Sequence, residues 1–357
     1  MNSIMSRIVT ALLFVQVLSS PAFAQSAADT SDSEKSNLTR LLEAELSRFP
    51  AKSGIYIKHL KLGEVAGVLA DEHFESASTI KIATMVLAYR MADAGQLNLD
   101  ERVTIELSDM RGGSGIFRYK DVGLSPTIRD LITEMIITSD NTATDMMIAK
   151  VGGKDKVNEF LRQSGFNVLN QTQTTYEFFR QRYVAIDSKY SSLSPEDVFS
   201  LCCTTIKKDS QLEERRAILR EQIAQDSASL DMTGIAAELA SNEQSWFGAA
   251  TPREMGLLLE GIEQGTIASQ ESCEEMTRIL RGQKSGELKI PHYLQVPVGH
   301  KTGETGGVTN DVGIIYAHSG PIIISFYNMD LTGPRAETED GMGRVARLIV
   351  EYFDGAK

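Results

Sequence analysis

The sequence predicts an α+β protein, and two observations carry that reading. Strand-like runs cluster near the start (Gly54 to Leu60, Val65 to Ala70) and near the end (Val298 to Thr302, Val312 to Tyr316, Ile322 to Tyr327). Between these clusters apolar residues recur at helical spacing. Segregated strands and helices of this kind fit an α+β architecture. With 357 residues, 42% hydrophobic and 24% charged, the chain can bury one large core and is too apolar for disorder throughout.

Residues 1–24 combine Arg7, an apolar run from Ile8 to Leu18 and the small-x-small triplet Ala22-Phe23-Ala24, a pattern that predicts a signal peptide cut after Ala24. The run is too short to span a bilayer, and no later stretch nears the ~20 apolar residues a spanning helix needs. No cysteine follows the cut to take a lipid, so a soluble secreted or periplasmic protein is expected. Removing Arg7, the one charge in that segment, takes the net charge from −12 to −13. Such acidity argues against a nucleic-acid partner.

Taken in order, residues 25–36 are a polar lead-in, and Leu38 to Phe49 carries a first helix. The two early strand runs, separated by Lys61-Leu62-Gly63-Glu64, read as a hairpin. Ser76-Ala77-Ser78-Thr79-Ile80-Lys81 then opens a nearly all-apolar helix that stops near Ala94-Gly95-Gln96. In the loop beyond, Gly112-Gly113-Ser114-Gly115 lacks the lysine and the helix of a phosphate-binding loop. Pro126-Thr127 opens a helix through Ile128, Leu131, Ile132, Met135 and Ile136, and Thr142 to Val151 makes another, closed by Gly152-Gly153. Met342 to Phe353 is an amphipathic C-terminal helix suited to packing on a sheet.

Three short motifs carry chemistry. Ser78 and Lys81 stand three apart at a helix start, so their side chains share a face. A lysine partly desolvated there has a lowered pKa and can take the serine proton, making Ser78 a nucleophile. Ser139-Asp140-Asn141, between two buried helices, supplies a hydroxyl to relay a proton, a carboxylate to fix the loop, and an amide to hold a lysine and a substrate carbonyl. Lys301-Thr302-Gly303 places a lysine and a hydroxyl at a strand suited to an anionic group, with a glycine that admits close approach. Taken singly, each is an ordinary cap or strand end. The five histidines show no metal-ligand spacing, and no metal or cofactor is expected. Cys202, Cys203 and Cys273 fit neither a zinc pattern nor a disulfide framework; Cys273 bridging one of the pair and three buried free thiols both stay open.

In this order and context, the three motifs resemble those of class A serine β-lactamases and penicillin-binding serine hydrolases. The resemblance runs over nearly the whole mature chain, including Thr251-Pro252-Arg253-Glu254-Met255 at a helix start and Asn310-Asp311 beyond K-T-G. It implies a β-lactamase/transpeptidase-like fold: one antiparallel five-stranded sheet built from both ends of the chain, flanked by helices, plus a helical half, with the site between. By resemblance Ser78 is the acylated nucleophile and Lys81 its base. Ser139 passes the proton to the leaving nitrogen, and Asn141 orients the substrate amide and Lys81. Lys301, Thr302 and Gly303 bind the substrate carboxylate side. The backbone N–H groups of Ser78 and Glu304 form an oxyanion hole, each such donor being worth ~10²–10³ in rate.

The family's short E-x-x-x-N loop, which holds the hydrolytic water, is not cleanly present. Tyr176-Glu177-Phe178-Phe179-Arg180-Gln181 stands at the expected distance after S-D-N, and Glu238-Leu239-Ala240-Ser241-Asn242 has the spacing but lies farther along. Glu177 is the favoured deacylating base and Glu238 its rival. The 74 residues between Glu177 and Pro252 exceed what that loop needs. An insertion over 178–250 is therefore expected within one catalytic domain spanning 25–357, with helices at Ser194 to Ile206 and Met232 to Trp246. The expected function is β-lactam opening through a Ser78 acyl-enzyme, hence β-lactam catabolism and antibiotic resistance. The alternatives are a D,D-peptidase or esterase with slow deacylation, and a non-turnover β-lactam or peptidoglycan-binding module. The expected partner is a small β-lactam or a peptidoglycan-like peptide, and the protein is expected to act as a monomer.

Overall fold

A computed structural model describes residues 36–203 and 210–355. The signal-peptide reading, most of the polar lead-in and the end of the helix expected to reach Ile206 lie outside the described residues. Helix α1 (Asn37–Leu46) precedes strands β1 (Lys52–His59), β2 (Val65–Val68) and β3 (Phe74–Glu75). The helical half follows: α2 (Lys81–Asp93), α3 (Ile128–Ile137), α4 (Asn141–Lys150) and α5 (Lys154–Gln163), then β4 (Asn170–Gln171) and α6 (Thr175–Val184). The expected insertion holds α7 (Pro195–Cys202), α8 (Ser210–Ser227) and α9 (Met232–Ser241). The chain closes with β5 (Gly248–Ala250), α10 (Pro252–Glu263), α11 (Gln270–Leu280), β6 (Val298–Thr305), β7 (Val308–Ala317), β8 (Gly320–Met329) and α12 (Arg335–Gly355).

Both chain ends meet in one five-stranded antiparallel sheet of order β2-β1-β8-β7-β6. Helices cover both of its faces, which explains why Ile322-Ile323-Ile324 reads as an unbroken apolar run. Strand side chains alternate between faces. Ile322, Ile324 and Phe326 therefore pack with Leu38 and Leu42 of α1 and Val345 and Ile349 of α12. Ile323 and Tyr327 pack toward the helical half, with Met255 and Leu258 of α10. A second small sheet, β3-β5-β4, ties the approach to Ser78 to the segment ahead of α6.

Among the described residues no helix is long and apolar enough to cross a membrane. All three cysteines are free thiols; Cys203 and Cys273 are buried, but Cys202 is exposed.

Because the sheet is covered on both sides, truncation of one buried strand residue opens a cavity that neither helix layer can close. Ile324→Ala should cost roughly 2–5 kcal/mol of unfolding free energy in urea. Leu62→Ala, in the exposed β1–β2 turn, should stay within about 0.5 kcal/mol. Equal effects would contradict a core shared by both faces.

Candidate active site

The nucleophile candidate sits on a 3₁₀ turn rather than on the α-helix expected from the sequence. Ala77–Ile80 form that turn and α2 begins only at Lys81. In a 3₁₀ turn residues three apart eclipse each other, so Ser78 and Lys81 are brought onto one side. Ala77 enters with φ +46°, a left-handed conformation unfavourable for a residue with a Cβ, and Ser139 has φ +55°. Local strain therefore flanks both hydroxyl candidates.

Lys81 has no exposed surface. Its Nζ donates to the Ser139 carbonyl at 2.8 Å, to Ser139 Oγ at 3.2 Å and to Asn141 Oδ1 at 2.9 Å. Burial pushes its pKa down to about 7, against the opposing pull of Asp140 and Asp145. Asn141 spends its other amide end on the Gly112 carbonyl, at 2.8 Å. Asp140 caps α4 by accepting from Ala143 N at 2.9 Å and pins the preceding loop by accepting from Phe117 N at 2.8 Å. Gly115, at φ +106°, lies so close to Asp140 that a Cβ would collide with its carboxylate. The glycine-rich loop is thus a cradle for S-D-N.

The third motif lies on β6, where Lys301 pairs with Val312 and Gly303 with Asn310 in the β7 register. Gly303, expected to admit close approach of substrate, also admits the turn that carries Ser78. A Cβ at 303 would stand 2.6 Å from the Ser76 carbonyl oxygen and 3.1 Å from Ser78 N. Lys301 is fully buried and donates to the Thr302 carbonyl at 2.8 Å. Burial, reinforced by the charges of Lys81 and Lys289, holds its amine well below the ordinary lysine value. The Thr302 hydroxyl bonds to that of Ser285 at 2.7 Å. The Lys301 and Thr302 side chains are both buried.

A cavity of about 330 Å³ opens at Ser78. The S-D-N side contributes Asn141 with Gly113 and Ser114, β6 and its turn contribute Glu304, Thr305 and Gly306, and α12 contributes Arg335. Thr175, Phe178, Phe179 and Arg182 of α6, with Phe247, form the remaining wall. Helix α6 is held there because Asp145 of α4 accepts from Thr175 N at 2.7 Å and Tyr176 N at 3.0 Å while pairing with Arg111 at 2.6 Å.

Neither glutamate proposed for water activation lines this cavity. Glu177 is the third residue of a capping box: it accepts from Thr174 N at 2.8 Å while Thr174 Oγ1 accepts from Glu177 N, and Lys154 Nζ donates to it at 2.8 Å. Burial alone would raise its pKa, but the Lys154 and Thr174 bonds hold it below the ordinary value. Glu238 is exposed on α9. The structure does not bring Glu177 to the cavity: its carboxylate caps the start of α6 and pairs with Lys154.

Sequence reasoning missed the groups that surround Glu304. Its carboxylate, on the cavity wall, meets Lys289 Nζ at 2.6 Å and Arg335 Nη1 at 3.5 Å, and Lys289 is itself almost wholly buried. Sequence reasoning also passed over Glu75, which accepts from the Thr305 hydroxyl at 3.2 Å and whose pKa burial pushes up to about 7. The aromatic wall was read only as a broken E-x-x-x-N match. Among the described residues no group of three or more His, Cys, Asp or Glu side chains is placed to hold a metal.

A family model described as the beta-lactamase enzyme family matches residues 36–353. The chain belongs to the beta-lactamase enzyme family. Beta-lactamase CTX-M-97 of Escherichia coli is 33% identical over 80% of this chain and 78% of its own. Beta-lactamase VEB-1 of Pseudomonas aeruginosa is 22% identical over 90% and 92%. Among solved structures, a beta-lactamase from Sphaerobacter thermophilus superposes with TM-score 0.65 at 24% identity, covering 89% of this chain and 96% of that one. PBP-A superposes with TM-score 0.63 at 22% identity over 90% and 97%. At those identities the two structures bear on fold alone; in this chain β6 lies against the turn at Ser76–Ser78.

That close approach generates a prediction. Gly303→Ala must displace β6 or the Ser76–Ser78 backbone, at a cost of roughly 1–3 kcal/mol in a urea titration. An unchanged midpoint would show that the two segments are not packed as described.

Proposed function

We propose that this protein opens β-lactam rings through an acyl-enzyme on Ser78, and the buried Lys81 amine carries the proposal. At neutral pH an amine with a pKa near 7 is substantially unprotonated, and one helical turn from a serine it can accept the hydroxyl proton as Oγ attacks the lactam carbonyl. Ser139 Oγ, bonded to Lys81, is placed to return that proton to the leaving ring nitrogen. The Ser78 and Glu304 backbone N–H groups would stabilise the oxyanion. Hydrolysis of the ester would complete turnover, with β-lactam catabolism and resistance as the consequence. Export is proposed on the composition of residues 1–24.

A second reading, a penicillin-binding peptidase or esterase whose acyl-enzyme persists, draws support from one observation. Among the described residues Glu304 is the single carboxylate lining the cavity, and Lys289 and Arg335 already neutralise it. No free carboxylate stands there to activate water.

Intact-mass spectra during turnover of a chromogenic cephalosporin separate these readings: free enzyme throughout turnover supports the lactamase, and an adduct lasting hours supports the peptidase. Ser78→Ala should abolish the adduct in either case; labelling of another residue would refute the nucleophile. Acylation should rise with pH through about 7, because only the unprotonated Lys81 accepts a proton, and below that pH the ammonium cannot. A flat rate between pH 5 and 9 would remove Lys81 from the base role. Glu177→Gln should leave deacylation unchanged while costing about 1 kcal/mol of stability through the weakened cap and ion pair; an accumulating acyl-enzyme would reinstate it as the base.

A further inference from the structure

The α6 wall carries a cation that the chemistry at Ser78 does not use. Arg182 lines the cavity with its guanidinium 5.1 Å from the Phe178 ring centroid and 5.3 Å from that of Phe179. Phe247 meets Phe178 edge-on at 5.9 Å, so three rings form one continuous surface beneath the arginine. The other cavity arginine, Arg335, is already engaged: it donates to the Val308 carbonyl at 2.9 Å and faces Glu304. Among the described residues no carboxylate lies within ion-pair distance of Arg182. Glu75 feels its charge but forms no ion pair with it.

In a chain of net charge −12, an exposed arginine on a cavity wall with no acid partner is a ready anion receptor. Its planar fork matches a carboxylate, and stacking on the rings restricts its rotamers before any ligand arrives. The rings beneath it suit an aryl or other apolar group.

We propose that Arg182 binds a carboxylate carried on the acyl side chain of the β-lactam, with Phe178, Phe179 and Phe247 receiving the aryl part. The inference rests on the reading of Ser78 as the acylated residue. It assigns α6 a role in substrate selection and predicts a preference for side chains that are both aromatic and anionic.

Benzylpenicillin and carbenicillin differ by one α-carboxylate on the same aryl side chain and serve as the probes. Binding of each to Ser78→Ala protein, followed by the fluorescence of Trp246, the one tryptophan and the neighbour of Phe247, reads recognition without acylation. Carbenicillin should bind about fivefold tighter, the scale of a solvent-accessible ion pair. Adding Arg182→Gln should bring the ratio to about one, and Arg182→Lys should leave it between the two. Equal affinities in the Ser78→Ala background, or a ratio untouched by Arg182→Gln, would overturn the proposal. Failure of benzylpenicillin to acylate the unaltered protein would instead overturn the reading of Ser78 on which it rests.

Discussion

An amine sealed from water must find its hydrogen-bond acceptors inside the fold, and the position of Lys81 organises the site around that need. Its three acceptors come from one tripeptide: the Ser139 carbonyl, the Ser139 hydroxyl and the Asn141 amide oxygen. Breaking any of them leaves a buried polar group unsatisfied, which costs more than the bond itself contributes. The left-handed Ser139, the Asp140 cap and the glycine cradle around Asp140 can each be understood as holding those acceptors still. Burial then does two things together: it fixes the amine against Ser139 and Asn141 and lowers its pKa into the range where a base works at neutral pH.

The same economy of charge governs the far wall. Lys289 is almost wholly buried, yet it is matched by Glu304 at 2.6 Å and approached by Glu339 at 3.7 Å. This pairing explains how an acid can sit beside a site suited to anions: its charge is spent before substrate arrives. Removing one partner of such a pair would be far more disruptive than replacing both. Arg182 contrasts with it, a cation on the same cavity left without an acid among the described residues.

Much of this was legible in the sequence because the decisive features are local. Hydroxyl-to-lysine spacing, caps at Thr127 and Asp140, and strand runs at both ends each leave a short-range signature, and the structure agrees with them to within a few residues. The strands assembled as the resemblance implied, into one antiparallel sheet. The contacts that were not legible join residues far apart in the chain. Lys289 finds Glu304 across a loop, Asp145 reaches forward to the start of α6, and Gly303 packs against the turn at Ser76–Ser78. Glu177 is instructive, because Thr174-Thr175-Tyr176-Glu177 is itself a capping-box pattern. Spacing from S-D-N suggested a catalytic acid, whereas the nearer signal, a threonine three residues earlier, described what the carboxylate does.

Direct titration of the Lys81 amine tests the central claim most closely. With ¹³C-labelled lysine, and Lys81→Met to assign the resonance, the Cε signal of Lys81 should move with pH through a midpoint of about 7. A midpoint near 10, the value of a solvated lysine, would mean that the amine is protonated throughout the working range and cannot be the base for Ser78.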